Sequence, residues 1–235
     1  MPVRWDTVQV EGKPMRVYIG VPEGEPRRVG ILVAQHGPGV DDFVKDAVIR
    51  LFREGYVAAA PELFHRQPAQ IPEGATRVGL LKDDEIIADM NATLAHLLGL
   101  KEVKLGPVGI VGFCMGGRVS YLMAAANNEI KACTVFYGGN MFKQWGSLPS
   151  PFDRTQDINC PVIGFYGNED TNPSPDDVNK IDAEMTRLGK PHEFHRYNGA
   201  AHAFQNFLDG TRYRERPARG SWSEMLAFFA QHLKT

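Results

Sequence analysis

The 235-residue sequence predicts an α/β fold, in which a mostly parallel sheet is covered by helices on both faces. Short continuous apolar runs, typical of strands buried on both faces, alternate along the chain with segments whose apolar residues recur at helical spacing. No repeat, low-complexity tract or change of composition divides the chain. We therefore expect a single domain over residues 1–235.

The strands are predicted from apolar runs and from period-two alternation. The first two predicted strands, at 6–10 and 13–20, are expected to pair with each other. Buried parallel strands are then expected at 30–34, 57–60, 108–111, 132–136 and 162–165, followed by a more polar strand at 192–197.

Helical segments lie between these strands. Apolar residues share one helical face within 44–52, 86–97 and 178–188, and residues 119–126 form a further helix. Ser174 is the expected N-cap of the 178–188 helix, with Pro175 in its first turn. Ser221 is expected to open the last helix, because Glu224 follows at capping-box spacing. Residues 61–80 and 138–160 are loop-like, and loops of that length usually shape a site or are mobile.

Charge and hydropathy exclude several classes of protein. The net charge is −2 and no basic run is present, so we expect no nucleic-acid partner. No apolar stretch approaches the roughly 20 residues that span a bilayer, and the N-terminus lacks a signal-peptide pattern. We therefore expect a cytoplasmic protein that has no membrane partner.

Three cysteines, Cys114, Cys133 and Cys160, are too few and too far apart for a disulfide framework or a zinc site. Cys133 lies within a predicted strand and Cys160 precedes one, so both are interpreted as structural. No phosphate loop, dinucleotide fingerprint or metal-ligand cluster is present. The sequence therefore predicts no cofactor and no metal.

Cys114 stands where a buried strand turns sharply into a helix, in the segment Gly-Phe-Cys-Met-Gly-Gly-Arg at 112–118. This is the nucleophile-elbow pattern G-x-S-x-G with cysteine in place of serine. Gly112 and Gly116 are required because side chains there would clash with the neighbouring strand and helix. A helix N-terminus also favours the thiolate form. The alternative interpretation of Cys114 is a buried small apolar residue at a tight turn.

A thiol nucleophile needs a base, and the base needs a group that orients it. In proteins with this elbow the order along the chain is nucleophile, acid and histidine. Asp170 follows the strand at 162–165 and is the expected acid, with Glu169 as the alternative. His202 follows the next strand, in a loop of small residues, and is the expected base.

The oxyanion of the tetrahedral intermediate needs two N–H donors. Met115, directly after the nucleophile, is expected to supply one backbone N–H. The second should come from the loop after the strand at 30–34. Pro38 is excluded because it has no N–H. Of the remaining two residues, Gly37 is preferred to His36 because glycine allows a close approach of the backbone.

Together these segments resemble the dienelactone hydrolase family from about residue 12 to the end of the chain. The matching pieces are Gly112–Arg118, Gly167–Asp170, Gly199–Phe204 and the segment Ala60–Arg66. The resemblance implies an α/β-hydrolase fold without a large lid and a Cys114–His202–Asp170 triad. It also implies hydrolysis of a cyclic ester such as a dienelactone, and a monomer or weak homodimer.

The sequence departs from this family pattern at two positions. Family members that hydrolyse dienelactone carry a glutamate at the position of His36, where it takes part in switching on the thiol. They also carry an arginine at the position of Asn206, where it holds the substrate carboxylate. We therefore expect direct activation of Cys114 by His202, and a substrate that is less anionic or held differently. Arg66, Arg77 and Lys82 are possible replacement cations.

The sequence thus predicts a carboxylic ester or lactone hydrolase that acts on a small molecule through a Cys114 acyl-enzyme. The alternatives are a non-catalytic binding protein on the same fold and an acyltransferase that uses the same triad. The residues expected to contact the substrate are His36, Phe64, Arg66, Tyr137 and Phe204. For the aromatic residues among them, packing in the core is the alternative interpretation.

Overall fold

The computed structural model describes residues 2–22, 24, 28–72 and 74–233. Its centre is an eight-stranded sheet of order β1-β2-β4-β3-β5-β6-β7-β8. The strands are β1 (Val3–Val10), β2 (Lys13–Gly20), β3 (Gly30–Ala34), β4 (Val57–Pro61), β5 (Val108–Phe113), β6 (Ile130–Phe136), β7 (Val162–Gly167) and β8 (His192–Tyr197).

The first two strands pair antiparallel with each other, and β2 pairs antiparallel with β4. All pairings from β4 to β8 are parallel. The carboxyl ends of β3, β5, β6, β7 and β8 therefore lie along one edge of the sheet, and ligands usually bind at that edge.

Six helices are described: α1 (Asp42–Arg53), α2 (Ala75–Gly79), α3 (Asp83–Leu98), α4 (Met115–Ala126), α5 (Pro175–Arg187) and α6 (Glu215–His232). Helices α1 and α6 pack on one face of the sheet, and α3, α4 and α5 pack on the other. Within β3, Ile31 and Val33 pack on the face covered by α1 and α6, whereas Leu32 and Ala34 pack on the opposite face. The alternation arises because successive side chains of a strand point to opposite faces. The predicted α/β architecture is confirmed.

Ser174 caps α5 as predicted. Its hydroxyl accepts a hydrogen bond from the backbone N–H of Asp177, whose side chain accepts one from the backbone of Ser174. The prediction for the last helix was wrong, because α6 begins at Glu215 and Ser221 lies inside it. The Ser221 hydroxyl is buried; it donates to the Pro217 carbonyl oxygen at 2.6 Å and accepts from Gln205 Nε2 at 2.8 Å.

Both loop-like segments contain short helical turns that the sequence patterns did not predict. Residues 61–80 include α2, and residues 138–160 include a 3₁₀ turn at Phe152–Asp157. Neither turn has a strong apolar periodicity, since no residue of α2 is buried and only Thr155 is buried in the 3₁₀ turn. Both segments contribute residues to the cleft described below.

Candidate active site

Cys114 lies between the last residue of β5 and the first residue of α4, with φ of 57° and ψ of −118°. A positive φ is strained for a residue that has a Cβ. The surrounding backbone holds it: the Cys114 N–H donates to the Phe136 carbonyl oxygen at 3.0 Å, and its own carbonyl oxygen accepts from Gly117 at 3.0 Å. The turn therefore presents the thiol at the carboxyl edge of the sheet.

The two flanking glycines make this turn possible. A Cβ on Gly112 would lie 1.9 Å from the Gly116 carbonyl oxygen, and a Cβ on Gly116 would lie 2.2 Å from the Ala34 carbonyl oxygen. Backbone atoms cannot move away from such contacts without displacing β3 or α4. The glycine requirement inferred from the sequence thus has a direct steric cause.

His202 lies between Cys114 and Asp170. Its Nδ1 is 2.8 Å from Asp170 Oδ2, and it also makes a hydrogen bond with the Cys114 thiol. The Asp170 side chain is 1% exposed, and its other carboxylate oxygen accepts the backbone N–H of Asn172 at 2.9 Å. The neighbouring Glu169 is exposed, and its carboxylate makes no hydrogen bond or ion pair with the residues described.

These contacts change the protonation of both groups. Burial alone would raise the pKa of the Cys114 thiol, but the hydrogen bond from His202, its positive charge and two backbone N–H groups together lower that pKa. Burial alone would lower the pKa of His202, but hydrogen bonds to Asp170 and Cys114 raise it to about 10. The contact with His202 therefore shifts Cys114 towards the thiolate and His202 towards the imidazolium.

The two backbone N–H groups that stabilise the thiolate belong to Met115 and Gly37. Met115 is the first residue of α4, and Gly37 lies in the turn after β3. These are the two residues that the sequence predicts as oxyanion donors. They come from neighbouring parallel strands, whose carboxyl ends bring the two donors to the same side of the thiol.

Cys114 and His202 open into a cleft of about 410 Å³. Besides Gly37, Cys114, Met115, Asp170 and His202, its walls include Val78, Gly139, Asn140, Trp145, Glu169, Thr171, Asn172, Ala201 and Arg212. Arg212 is the one Lys or Arg in that wall. It is 56% exposed, and its Nε lies 3.2 Å from Asp209 Oδ2.

None of the five residues expected to contact substrate lines this cleft. Tyr137 and Phe204 are buried beneath the site, with their ring centroids 5.1 Å apart, and the Tyr137 ring supports His202 edge-on at 5.2 Å. Phe64 is buried under the Arg77 guanidinium. All three aromatic side chains are therefore packed in the core, which was the alternative interpretation of them.

The two charged residues of that set also have partners outside the cleft. Arg66 pairs with Asp89 and Glu11, so its guanidinium is used in an ion-pair network. His36 is 5% exposed, and its Nε2 lies 2.9 Å from Oδ1 of Asp41, the N-cap residue of α1. Of the other cations considered, neither Arg77 nor Lys82 is part of the cleft wall.

Sequence reasoning missed four residues that form the cleft wall, namely Asn140, Trp145, Asn172 and Arg212. They come from three loops without periodic patterns. The length of the loop at 138–160 marks it as a segment that shapes a site, but no pattern singles out Asn140 or Trp145 within it. One signal was available for Arg212, which follows His202 by ten residues in the loop that contains Asn206.

The residues described contain no group of three or more His, Cys, Asp or Glu side chains that could hold a metal ion. No helix described in the structure is long and apolar enough to span a bilayer.

The profile of the dienelactone hydrolase family matches residues 15–233, almost the whole chain. The chain belongs to the dienelactone hydrolase family. This confirms the resemblance inferred from the motifs and the α/β-hydrolase fold. It also confirms the prediction of an enzyme that hydrolyses carboxylic esters or lactones.

Individual relatives support the same assignment. A "Putative carboxymethylenebutenolidase" from Synechocystis sp. is 34% identical over 226 residues, which cover 89% of this chain and 90% of that protein. A "Probable 2-oxo-3-(5-oxofuran-2-ylidene)propanoate lactonase" from Bradyrhizobium sp. is 28% identical over 97% of this chain and 94% of its own length.

A solved structure is similar over its full length. The crystal structure titled "Putative Dienelactone Hydrolase" from Klebsiella pneumoniae superposes with a TM-score of 0.91 and is 30% identical. The match covers 97% of this chain and 98% of that one. The similarity therefore extends over nearly the whole of both chains.

Proposed function

We propose that the protein hydrolyses a small carboxylic ester or lactone through a covalent acyl-enzyme on Cys114. The observation that carries the proposal is the contact of His202 with both Cys114 and Asp170, at the carboxyl ends of the parallel strands β5, β7 and β8. A thiol activated by an oriented histidine is the arrangement that nucleophilic catalysis requires.

In the proposed first step the Cys114 thiolate attacks the carbonyl carbon, and the carbonyl oxygen becomes an oxyanion. The N–H groups of Met115 and Gly37, which stabilise the resting thiolate, then stabilise that oxygen. The bond from the carbonyl carbon to the leaving oxygen breaks, and the His202 imidazolium donates its proton to that oxygen. In a lactone the new hydroxyl stays attached to the acyl group.

In the second step neutral His202 accepts a proton from a water molecule, whose oxygen attacks the thioester carbonyl. The second tetrahedral intermediate uses the same two N–H donors. Its collapse releases the carboxylic acid and returns the thiolate beside the imidazolium. Asp170 remains ionised throughout, orients the ring and stabilises its positive charge.

We propose a cyclic ester of the dienelactone type as the substrate class. The family membership and the printed names of the relatives support a lactone. The cleft is small and lies at the carboxyl edge of the sheet, and Arg212 at its wall suits a ligand that carries a carboxylate. Arg212 would then replace the family's arginine at the position of Asn206.

The test is turnover of a panel of activated esters and unsaturated lactones by the wild type and by Cys114→Ala. We expect turnover to disappear in the variant, and mass spectrometry of the wild type to find an acyl adduct on Cys114. Unchanged turnover by Cys114→Ala would refute the proposal. Product analysis in the presence of alcohols separates hydrolysis from acyl transfer.

A matched pair of variants tests the triad acid. Asp170→Asn should lower kcat by about 10²–10⁴-fold, because an amide cannot stabilise the imidazolium. Glu169→Gln is the control, and it should leave the pH dependence of Cys114 alkylation as in the wild type, since Glu169 does not contact His202. The reverse result would make Glu169 the acid.

A further inference from the structure

Arg118 is fully buried, although it carries a full positive charge. It lies on α4 one turn after Cys114, and its backbone N–H donates to the Cys114 carbonyl oxygen at 3.3 Å. Its guanidinium forms a bidentate pair with Asp83, with distances of 2.5 Å and 2.9 Å, and the Asp83 side chain is also fully buried. A buried ion pair seldom adds net stability compared with apolar residues, so this one calls for another explanation.

The remaining donors of this pair all contact one loop. Arg118 Nε donates to the Asn140 carbonyl oxygen at 3.2 Å, and its Nη2 donates to the Lys143 carbonyl oxygen at 2.8 Å. The backbone N–H of Asp83 donates to the Trp145 carbonyl oxygen at 3.0 Å. The Arg118 guanidinium also lies 3.8 Å from the centre of the Trp145 ring, a cation–π distance. We call residues 140–145 the wall segment.

The wall segment has no strand or helix to hold its backbone. Asn140 has a φ of 54°, and no residue between 140 and 145 belongs to a regular element. Arg118 donates hydrogen bonds to the backbone carbonyl oxygens of two of the six residues, Asn140 and Lys143. Asn140 is also tied to the triad side of the cleft, because its N–H donates to Asn172 Oδ1 at 2.9 Å.

The wall segment provides two residues of the catalytic cleft, Asn140 and Trp145. Trp145 is 7% exposed, so it meets the cleft along a limited part of its ring while Arg118 covers one ring face. The position of this ring depends on contacts that converge on a single guanidinium and its carboxylate partner. No residue of the triad or of the oxyanion hole makes a comparable set of contacts with the wall segment.

We propose that the Arg118–Asp83 pair is a specificity device, which fixes the wall segment against α4 and so places Trp145 and Asn140 against the acyl group of the substrate. This inference rests on the proposed function, in which the acyl group is attached to Cys114 in that cleft. Arg118 is a positioning residue, since it acts through the wall segment. The acyl groups favoured by the wall are ones with a flat apolar surface, such as an unsaturated or aromatic ring.

The experiment compares p-nitrophenyl acetate, butyrate and benzoate, which share one leaving group and differ only in the acyl part. Arg118→Lys keeps the charge but cannot make the bidentate pair, the two carbonyl contacts and the stacking together. We expect its KM for butyrate and benzoate to rise at least fivefold more than its KM for acetate. Rates are normalised to active sites titrated with iodoacetamide.

Trp145→Leu is the second variant. It leaves the ion pair in place, so it keeps the inference testable if Arg118→Lys does not fold. It should shift the KM values in the same direction. The control is Arg187→Lys, the same substitution in the exposed pair of Arg187 with Glu184 on α5. It should leave all three KM values within twofold of the wild type.

A purely structural role for Arg118 would lower thermal stability and the active fraction but affect the three esters equally. Equal effects of a folded Arg118→Lys on all three esters would overturn the inference; if Arg118→Lys does not fold, equal effects of Trp145→Leu on all three would overturn it. The pH profile of Cys114 alkylation should remain that of the wild type, because a small reagent does not need the wall. If Cys114→Ala still hydrolysed the esters, the proposed function would fail instead, so the two failures are distinguishable.

Discussion

Replacing His202 by alanine should change the reactivity of Cys114 in a way that can be calculated in advance. In the wild type, the hydrogen bond and the positive charge of His202 keep the pKa of the thiol below its ordinary value, and the pKa of His202 is raised to about 10. The thiolate–imidazolium pair should therefore exist from the lowered pKa of Cys114 up to about pH 10. Alkylation should be nearly independent of pH across that window.

Without His202, burial acts on the thiol with only the two backbone N–H groups to oppose it. A free cysteine with a pKa of about 8.5 is about 3% thiolate at pH 7. If the wild type is mostly thiolate at that pH, His202→Ala should lower the alkylation rate at least about 30-fold, which corresponds to about 2 kcal/mol. The rate should then rise with pH up to and beyond pH 8.5.

Iodoacetamide alkylation between pH 5 and pH 10, with thiolate absorbance at 240 nm as a second readout, measures this directly. Cys114→Ala supplies the background. That background should be low, because burial raises the pKa of Cys160 to about 12 and raises that of Cys133 well above its ordinary value. A His202→Ala profile that coincides with the wild-type profile would refute the reasoning, since His202 would then contribute nothing to the thiolate.

Three further predictions concern the backbone and the cleft wall. Gly116→Ala should lower the free energy of unfolding by at least about 3 kcal/mol in urea denaturation, because its Cβ would lie 2.2 Å from the Ala34 carbonyl oxygen. Gly220→Ala, inside α6 and with no atom within 4 Å of the new Cβ, should raise it by about 0.5–1 kcal/mol in the same assay. Arg212→Gln should raise KM about fivefold for a carboxylate-bearing lactone and leave KM for a neutral ester unchanged, because an exposed charge contributes about 1 kcal/mol.

The proximity of the proposed catalytic residues was predictable because each of them belongs to a local pattern. Cys114 follows the buried strand β5 and is flanked by glycines, and the loops of Asp170 and His202 follow β7 and β8 of the same parallel sheet. The carboxyl ends of parallel strands meet at one edge whatever the intervening residues are. The position of each group directly after a parallel strand therefore brings them together. The N–H donors Gly37 and Met115 reach the same edge for the same reason.

The cleft wall was not predictable by the same reasoning. Asn140, Trp145 and Arg212 reach the cleft from irregular loops whose course depends on distant partners. The wall segment is held by Arg118, and the position of this arginine on a predicted helix gives no sign that it contacts that loop. Similarly, α6 begins six residues before Ser221, and the hydroxyl that was expected to act as a cap accepts a hydrogen bond from Gln205 of another loop.

His36 is unusual in the sequence, because it stands where the family has a glutamate. The structure gives its side chain a partner. The family's glutamate at this position would place a second carboxylate close to the thiol. Here the side chain turns to Asp41, and that contact, with two N–H groups at the start of α1, lowers the pKa of Asp41 despite its burial. Among the residues described, His202 is then the side chain whose hydrogen bond and positive charge lower the pKa of Cys114.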